Sequence, residues 1–182
     1  SITKLNSTGI LEWQKSYGGS GGEYIEDIRQ TTDGGYIVAG ATNSTDGDVV
    51  GQHGLHDAWI LRLDVAGDLV WAKTLGGTKE DVAQGIRQTS DGGFIFTGGT
   101  SSFDGDVINP SHSTISWTVK LDAAGNIQWQ KTLGTEVDEE AKSVIQTTDL
   151  GYYVAGNVQS KKGAFGSKDV LLVKLDKNGK II

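Results

Sequence analysis

With 182 residues, no Cys, a single Pro and 27 Gly, the chain excludes a disulfide framework and a thiolate metal site, and its Gly must serve many tight turns. Its 23 Asp and Glu against 16 Lys and Arg leave a net charge of −7, which argues against a nucleic-acid partner and suits a protein that holds cations. No apolar run approaches the roughly 20 residues that cross a bilayer as a helix, so membrane insertion is not expected.

Residues 1–20 lack the basic start and apolar centre of a signal peptide. Because Ser1 enters the pattern midway through a unit, the chain reads as a mature or excised piece, with any targeting segment outside it.

The first predicted elements are a short strand from Ile2 to Asn6 and a longer one from Ile10 to Tyr17, which carries Trp13. That tryptophan opens the string WQKSYGG, which returns at Trp71 as WAKTLGG and, shortened, at Trp129 as WQKTLG. The three stand 58 residues apart, 13 to 71 and 71 to 129. Ile28 to Gly35 (IRQTTDGG) returns at 86–93 and 144–151 on the same beat. A fixed long period means one supersecondary unit copied and stacked.

Within the unit from Glu23 to Gly77, turn residues cut four apolar segments. Tyr24 to Thr31 ends at AspGlyGly, whose glycines supply the positive φ of a hairpin turn. Tyr36 to Ala41 follows, short, β-branched and aromatic, and leads into a polar loop that runs to His56. In the third segment, Asp57 to Asp64, Trp59, Leu61 and Leu63 share a face at a spacing of two. After a Gly-containing turn at 65–68, Leu69, Trp71, Lys73 and Leu75 are expected to alternate to one side of the fourth strand.

Four strands joined by short turns, repeated with no helical period, predict an all-β fold: a β-propeller-type array of four-stranded antiparallel blades, about three repeats in this chain. The chain reads as one repeat domain, 1–182, with a partial blade at 1–22, blades at 23–77 and 78–134, and a blade at 135–182 lacking most of its last strand. Trp13, Trp71 and Trp129 are expected between adjacent blades, where an indole buries a large area and can still offer its N–H to a carbonyl. Incomplete units leave open strands, which a homo-oligomer or the further blades of a longer chain would satisfy.

The string GNIQWQKTLG at 125–134, preceded by KLD and followed by IQTTDLGYYVAG, resembles the tandem repeats of large secreted Bacteroidetes-type surface proteins that carry a type IX secretion signal. The loop from Ser44 to Gly54 is similar to theirs. This resemblance implies a propeller-like array that is secreted and displayed at the cell surface. The spacing from LD to Gly to Trp is also similar, more distantly, to the tryptophan-docking repeats of quinoprotein propellers. None of the basic and carboxylate residues that hold the quinone cofactor there has a counterpart here, so that likeness bears on architecture alone.

Chemistry is expected first in the loop between the second and third strands. Asp46 and Asp48 stand in TDGDV, Asp104 and Asp106 in FDGDV, and Asp57 or Asn109 could close onto them. Alternate carboxylates about a flexible Gly suit Ca²⁺, which takes oxygen ligands in irregular geometry. The same residues also make Asx-type turns on a solvated loop, and both readings stand. His53, His56 and His112 lack further ligands at zinc spacing and read as polar surface.

Glu23, Asp81, Glu139 and Glu140 recur at matching places and read as periodic structure. No GxSxG, HExxH or GxxxxGK[ST] motif is present. Among the aromatic residues at strand ends and in loops, Phe103 and Phe165 lie inside polar loops and are the ligand-binding candidates, for stacking on a sugar face or anchoring a protein.

The sequence therefore predicts a non-catalytic extracellular or cell-surface module for binding or assembly, with a glycan or a surface protein as partner. The alternatives are an accessory propeller domain of a secreted polysaccharide-active enzyme and a purely structural subunit of a ring or filament.

Overall fold

A computed structural model describes residues 1–108, 113–134, 139–159 and 168–182. Among these the chain is all-β, with thirteen strands in four antiparallel sheets and no helix. β1 (Ile2–Leu5) and β2 (Leu11–Lys15) form a two-stranded sheet. β3 (Glu23–Gln30), β4 (Tyr36–Thr42), β5 (Asp57–Leu63) and β6 (Leu69–Leu75) form a four-stranded one in chain order. β7 (Asp81–Gln88), β8 (Phe94–Thr100), β9 (Ile115–Leu121) and β10 (Ile127–Leu133) repeat it. β11 (Glu139–Gln146), β12 (Tyr152–Gln159) and β13 (Lys168–Leu175) make a three-stranded sheet, with a single further bridge from Leu175 to Ile181.

The turns form as their residues dictate. After β3, Thr31 N–H donates to the Gly35 carbonyl (2.9 Å), Thr31 Oγ1 donates to Asp33 Oδ1 (2.6 Å), and Gly34 takes φ +86°. Gly92 repeats this at +82°, whereas the third copy puts Leu150 into the left-handed region at +67°.

Each of the three larger sheets carries a bulge at the same place in its first strand. Ile25 and Asp27 face the consecutive residues Gly40 and Ala39, so Glu26 is extra; Gln84 and Lys142 are its counterparts. Opposite the bulge a side chain has no room. A Cβ at Gly40, Gly98 or Gly156 would run into the carbonyl of Tyr24, Val82 or Glu140.

The core lies between sheets. Ile37, Ala39, Ala58 and Ile60 of the first four-stranded sheet pack on Ala83, Ile86, Phe94, Phe96 and Trp117 of the second. Ile95 and Leu133 of the second pack on Ala141, Val144, Tyr152 and Val154 of the next. β5 and β9 are thus buried on both faces, not only on the one that carries Trp59, Leu61 and Leu63.

The expected one-sided alternation in β6 does not hold. A bulge at Val70 breaks the period of two, so Leu69 packs with Trp59 and Leu63 while Trp71 and Leu75 join the following core.

The three repeated tryptophans do lie at junctions. Trp13, Trp71 and Trp129 meet Tyr36, Phe94 and Tyr152 edge to face at centroid distances of 5.6, 5.9 and 5.6 Å. Each covers a hairpin glycine of the following sheet, Gly67, Gly125 or Gly179. Trp71 Nε1–H donates to the Ala123 carbonyl (3.2 Å), whereas Trp13 Nε1 is buried with no acceptor. A glutamine secures the second and third of these junctions: Thr32 N–H donates to Gln88 Oε1 (2.9 Å) and Ser90 N–H to Gln146 Oε1 (2.8 Å).

Candidate functional site

The paired-aspartate loops act between sheets. After β4 the chain turns at Gly47 (φ +68°), and after β8 at Gly105 (φ +64°). Each turn closes onto the glycine pair that ends the preceding sheet. Asp48 N–H donates to the Gly18 carbonyl (3.0 Å), and Gly18 N–H donates to Asp48 Oδ2 (3.0 Å). Asp106 does the same to Gly76, at 2.8 and 3.3 Å.

Asp46 Oδ1 accepts from Ser20 N–H (2.7 Å) and Asp104 Oδ1 from Thr78 N–H (2.8 Å). Bonds from the Thr78 backbone and hydroxyl hold the Asp104 carboxyl below its ordinary value. Val49 and Val107, next in the chain, are buried and anchor the loops. The loops are therefore clasps whose carboxylates accept N–H groups of the neighbouring repeat.

Asp46 and Asp48 sit at one junction, Asp104 and Asp106 at the next. Asp57 belongs with the second of these. His53 lies between Asp57 and Asp106, its Nδ1 2.8 Å from Asp57 Oδ2 and its Nε2 4.0 Å from Asp106 Oδ2. The His53 N–H also donates to Asp57 Oδ2 (2.9 Å). Among the described residues, no group of three or more His, Asp or Glu side chains is arranged to hold a metal ion.

Beneath the clasps lies a row of acids. Glu23 accepts from Thr42 Oγ1 (3.0 Å) and from Ser44 Oγ. Asp81 accepts from Thr100 Oγ1, from Ser102 Oγ (2.7 Å) and from Gly77 N–H (2.8 Å). Glu139 is buried beneath Gly134.

The middle junction holds two acids where the next holds one. Asp57 and Asp81 both lie beside Gly76, whereas Ile115 takes the place of Asp57 beside Glu139 and Gly134. Burial pushes the carboxyls of both Asp57 and Asp81 above the ordinary value, in Asp57 against the bonds from His53. Asp57 Oδ1 is buried without a partner.

Phe103 is exposed at the edge of its loop, with Lys79 Nζ 4.7 Å from the ring centroid. Phe165, Asn109 and His112 lie outside the described residues. Of the histidines read as polar surface, His53 is held by Asp57, and His56 Nδ1 lies 2.8 Å from Glu80 Oε2 with its ring against Tyr24. The signal for the first was the spacing of four between His53 and Asp57, at a point where an apolar strand begins on a charged residue.

No family model matches the chain. Over 151 residues it is 29% identical to the regulatory protein FlaEY of Caulobacter vibrioides, a stretch that covers 75% of this chain but only 16% of FlaEY. The chain is therefore similar to one part of a much longer protein.

Proposed function

We propose that the four sheets are blades of a propeller-type array and that the chain is a non-catalytic module for binding or assembly, displayed outside the cell. The observation that carries this reading is the condition of the two end faces. Ile25 and Ile28 on β3 are 45% and 40% exposed, while their counterparts one and two repeats on, Ala83, Ile86, Ala141 and Val144, are buried in junctions. At the other end Leu172 is 64% exposed, and Ile60 and Thr118 in its place are buried.

Each end thus presents one half of an interface that the chain forms twice internally. A second copy or a further blade of the same repeat supplies the other half, in a head-to-tail contact that closes a ring or extends a filament. The repeat-level resemblance to exported surface proteins supports the location. The relative's name is that of a regulatory protein, which accords with a module that binds rather than converts.

Light scattering at micromolar concentration is expected to give a mass above the 19.3 kDa of one chain. A clean monomer that also binds nothing on a glycan array would remove both halves of the reading.

A further inference from the structure

Two successive junctions are built on one plan but sealed differently. At the first, Lys15 Nζ pairs with Asp68 Oδ1 (2.5 Å), and the Tyr17 hydroxyl donates to the Gly67 carbonyl. One repeat later the same four positions hold Lys73, Asn126, Leu75 and Gly125. The carboxylate and the phenol are both gone. Lys73 makes no ion pair among the described residues, and Leu75 is turned into the core.

The seal is replaced by an open cleft of about 430 Å³, lined among others by Lys73, Thr74, His53, Asp106 and Asn126. That volume lies within the range of small-molecule sites, roughly 300–1,000 Å³.

The polar groups around the cleft have an order. At one wall stands Lys73, with Asn126 in the place that Asp68 holds one repeat earlier; the Lys73 charge also acts on the Asp122 carboxyl. At the other stand the Asp106 carboxylate and the His53 ring, whose Nδ1 is held by the buried Asp57 so that Nε2 is turned towards Asp106. A carboxylate on a ligand can stand where the Asp68 carboxylate stands in the preceding repeat. Hydroxyl groups on the same ligand can donate to Asp106 and exchange a hydrogen bond with His53 Nε2.

We propose that this cleft is a binding site for an acidic saccharide of the uronic-acid type, with its carboxylate on Lys73 and its hydroxyls on Asp106 and His53. The proposal rests on the binding reading above and narrows it to one junction and one ligand class.

The test uses the whole chain and D-glucuronate as probe, followed by saturation-transfer NMR and calorimetry, with D-glucose as the neutral control. Glucuronate is expected to bind saturably and at least tenfold more tightly than glucose. Lys73→Met is expected to abolish that preference. Asn126→Asp rebuilds the ion pair of the first junction, where Asp64 and Asp68 already tolerate the same proximity. It should weaken glucuronate at least tenfold while leaving the melting temperature unchanged or higher.

Equal binding of glucuronate and glucose, or full glucuronate binding by Asn126→Asp, overturns the proposal. If glucuronate fails while neutral glycans bind on an array, this cleft is wrong and the broader reading survives. Failure of every glycan overturns the saccharide site and leaves assembly alone.

Discussion

At the scale of single residues, three hairpins carry a cation beside an aspartate: Arg62 with Asp33, Lys120 with Asp91 and Lys174 with Asp149. Lys120 is almost wholly buried, and its ammonium also reaches the Leu121 carbonyl and Gln128. Burial alone would raise the Asp91 carboxyl, but bonds from Thr89, Lys120 and Gly93 outweigh it and hold the group at about 2. A depressed value means stability that is fully present above the ordinary 3.8 and is lost as pH falls from there towards 2. Asp91→Asn is therefore expected to cost roughly 1 kcal/mol at neutral pH, allowing for solvent at a half-exposed carboxylate, and denaturant titrations should show that difference shrinking between pH 4 and 2. The clasp aspartates give a second test at this scale. Replacing Asp46 and Asp104 together by Ala should lower the melting temperature by a few degrees, equally in Ca²⁺ and in EDTA, because each removes acceptors for N–H groups of the neighbouring repeat. A melting temperature that climbs with Ca²⁺ in the wild type alone would put the cation, not the N–H groups, at the centre of these loops.

At the scale of elements, the bulge and the glycine opposite it depend on each other. Gly98 has no positive φ to explain it; what excludes a side chain is the Val82 carbonyl on the bulged strand. Gly98→Ala must push β7 and β8 apart, and a loss of about 3 kcal/mol in unfolding free energy is expected, well beyond the cost of an exposed strand glycine. Strand positions were legible in the sequence because turn glycines and the 58-residue beat bracket each one: predicted Tyr24 to Thr31 became Glu23–Gln30, and predicted Tyr36 to Ala41 became Tyr36–Thr42. Trp13, Trp71 and Trp129 were legible for the same reason. The bulge at Val70 was not, since an extra residue leaves no trace in composition, and the alternation drawn through Leu69 and Trp71 failed there. The link from Asp57 through His53 to Asp106 was legible in part: Asp57 could be named as closing onto the paired aspartates, but not that it does so on those of the following copy, nor that His53 stands between. It joins residues from two copies of the repeat, and a period read one copy at a time does not show which copies meet.

At the scale of the whole molecule, apolar burial happens between sheets, so any sheet without a neighbour leaves a face in water. Tyr153, Val170 and Leu172 make such a face on the C-terminal sheet. Changing Val170 and Leu172 together to Lys should bring the mass seen by light scattering down to a single chain while the far-ultraviolet dichroism of the sheets is retained; a variant as large as the wild type would move the contact elsewhere. The glutamines at the two later junctions add a further consequence. Gln88 and Gln146 each hold a backbone N–H of the sheet before them, and Trp13, Trp71 and Trp129 each rest on a hairpin glycine of the sheet after them. All contacts of this kind are nearest-neighbour, and none records its ordinal place along the polypeptide. Unequal crossing-over that gains or loses a whole 58-residue copy would leave each surviving seam with a matching partner, so these contacts by themselves set no limit on how many copies a chain can contain.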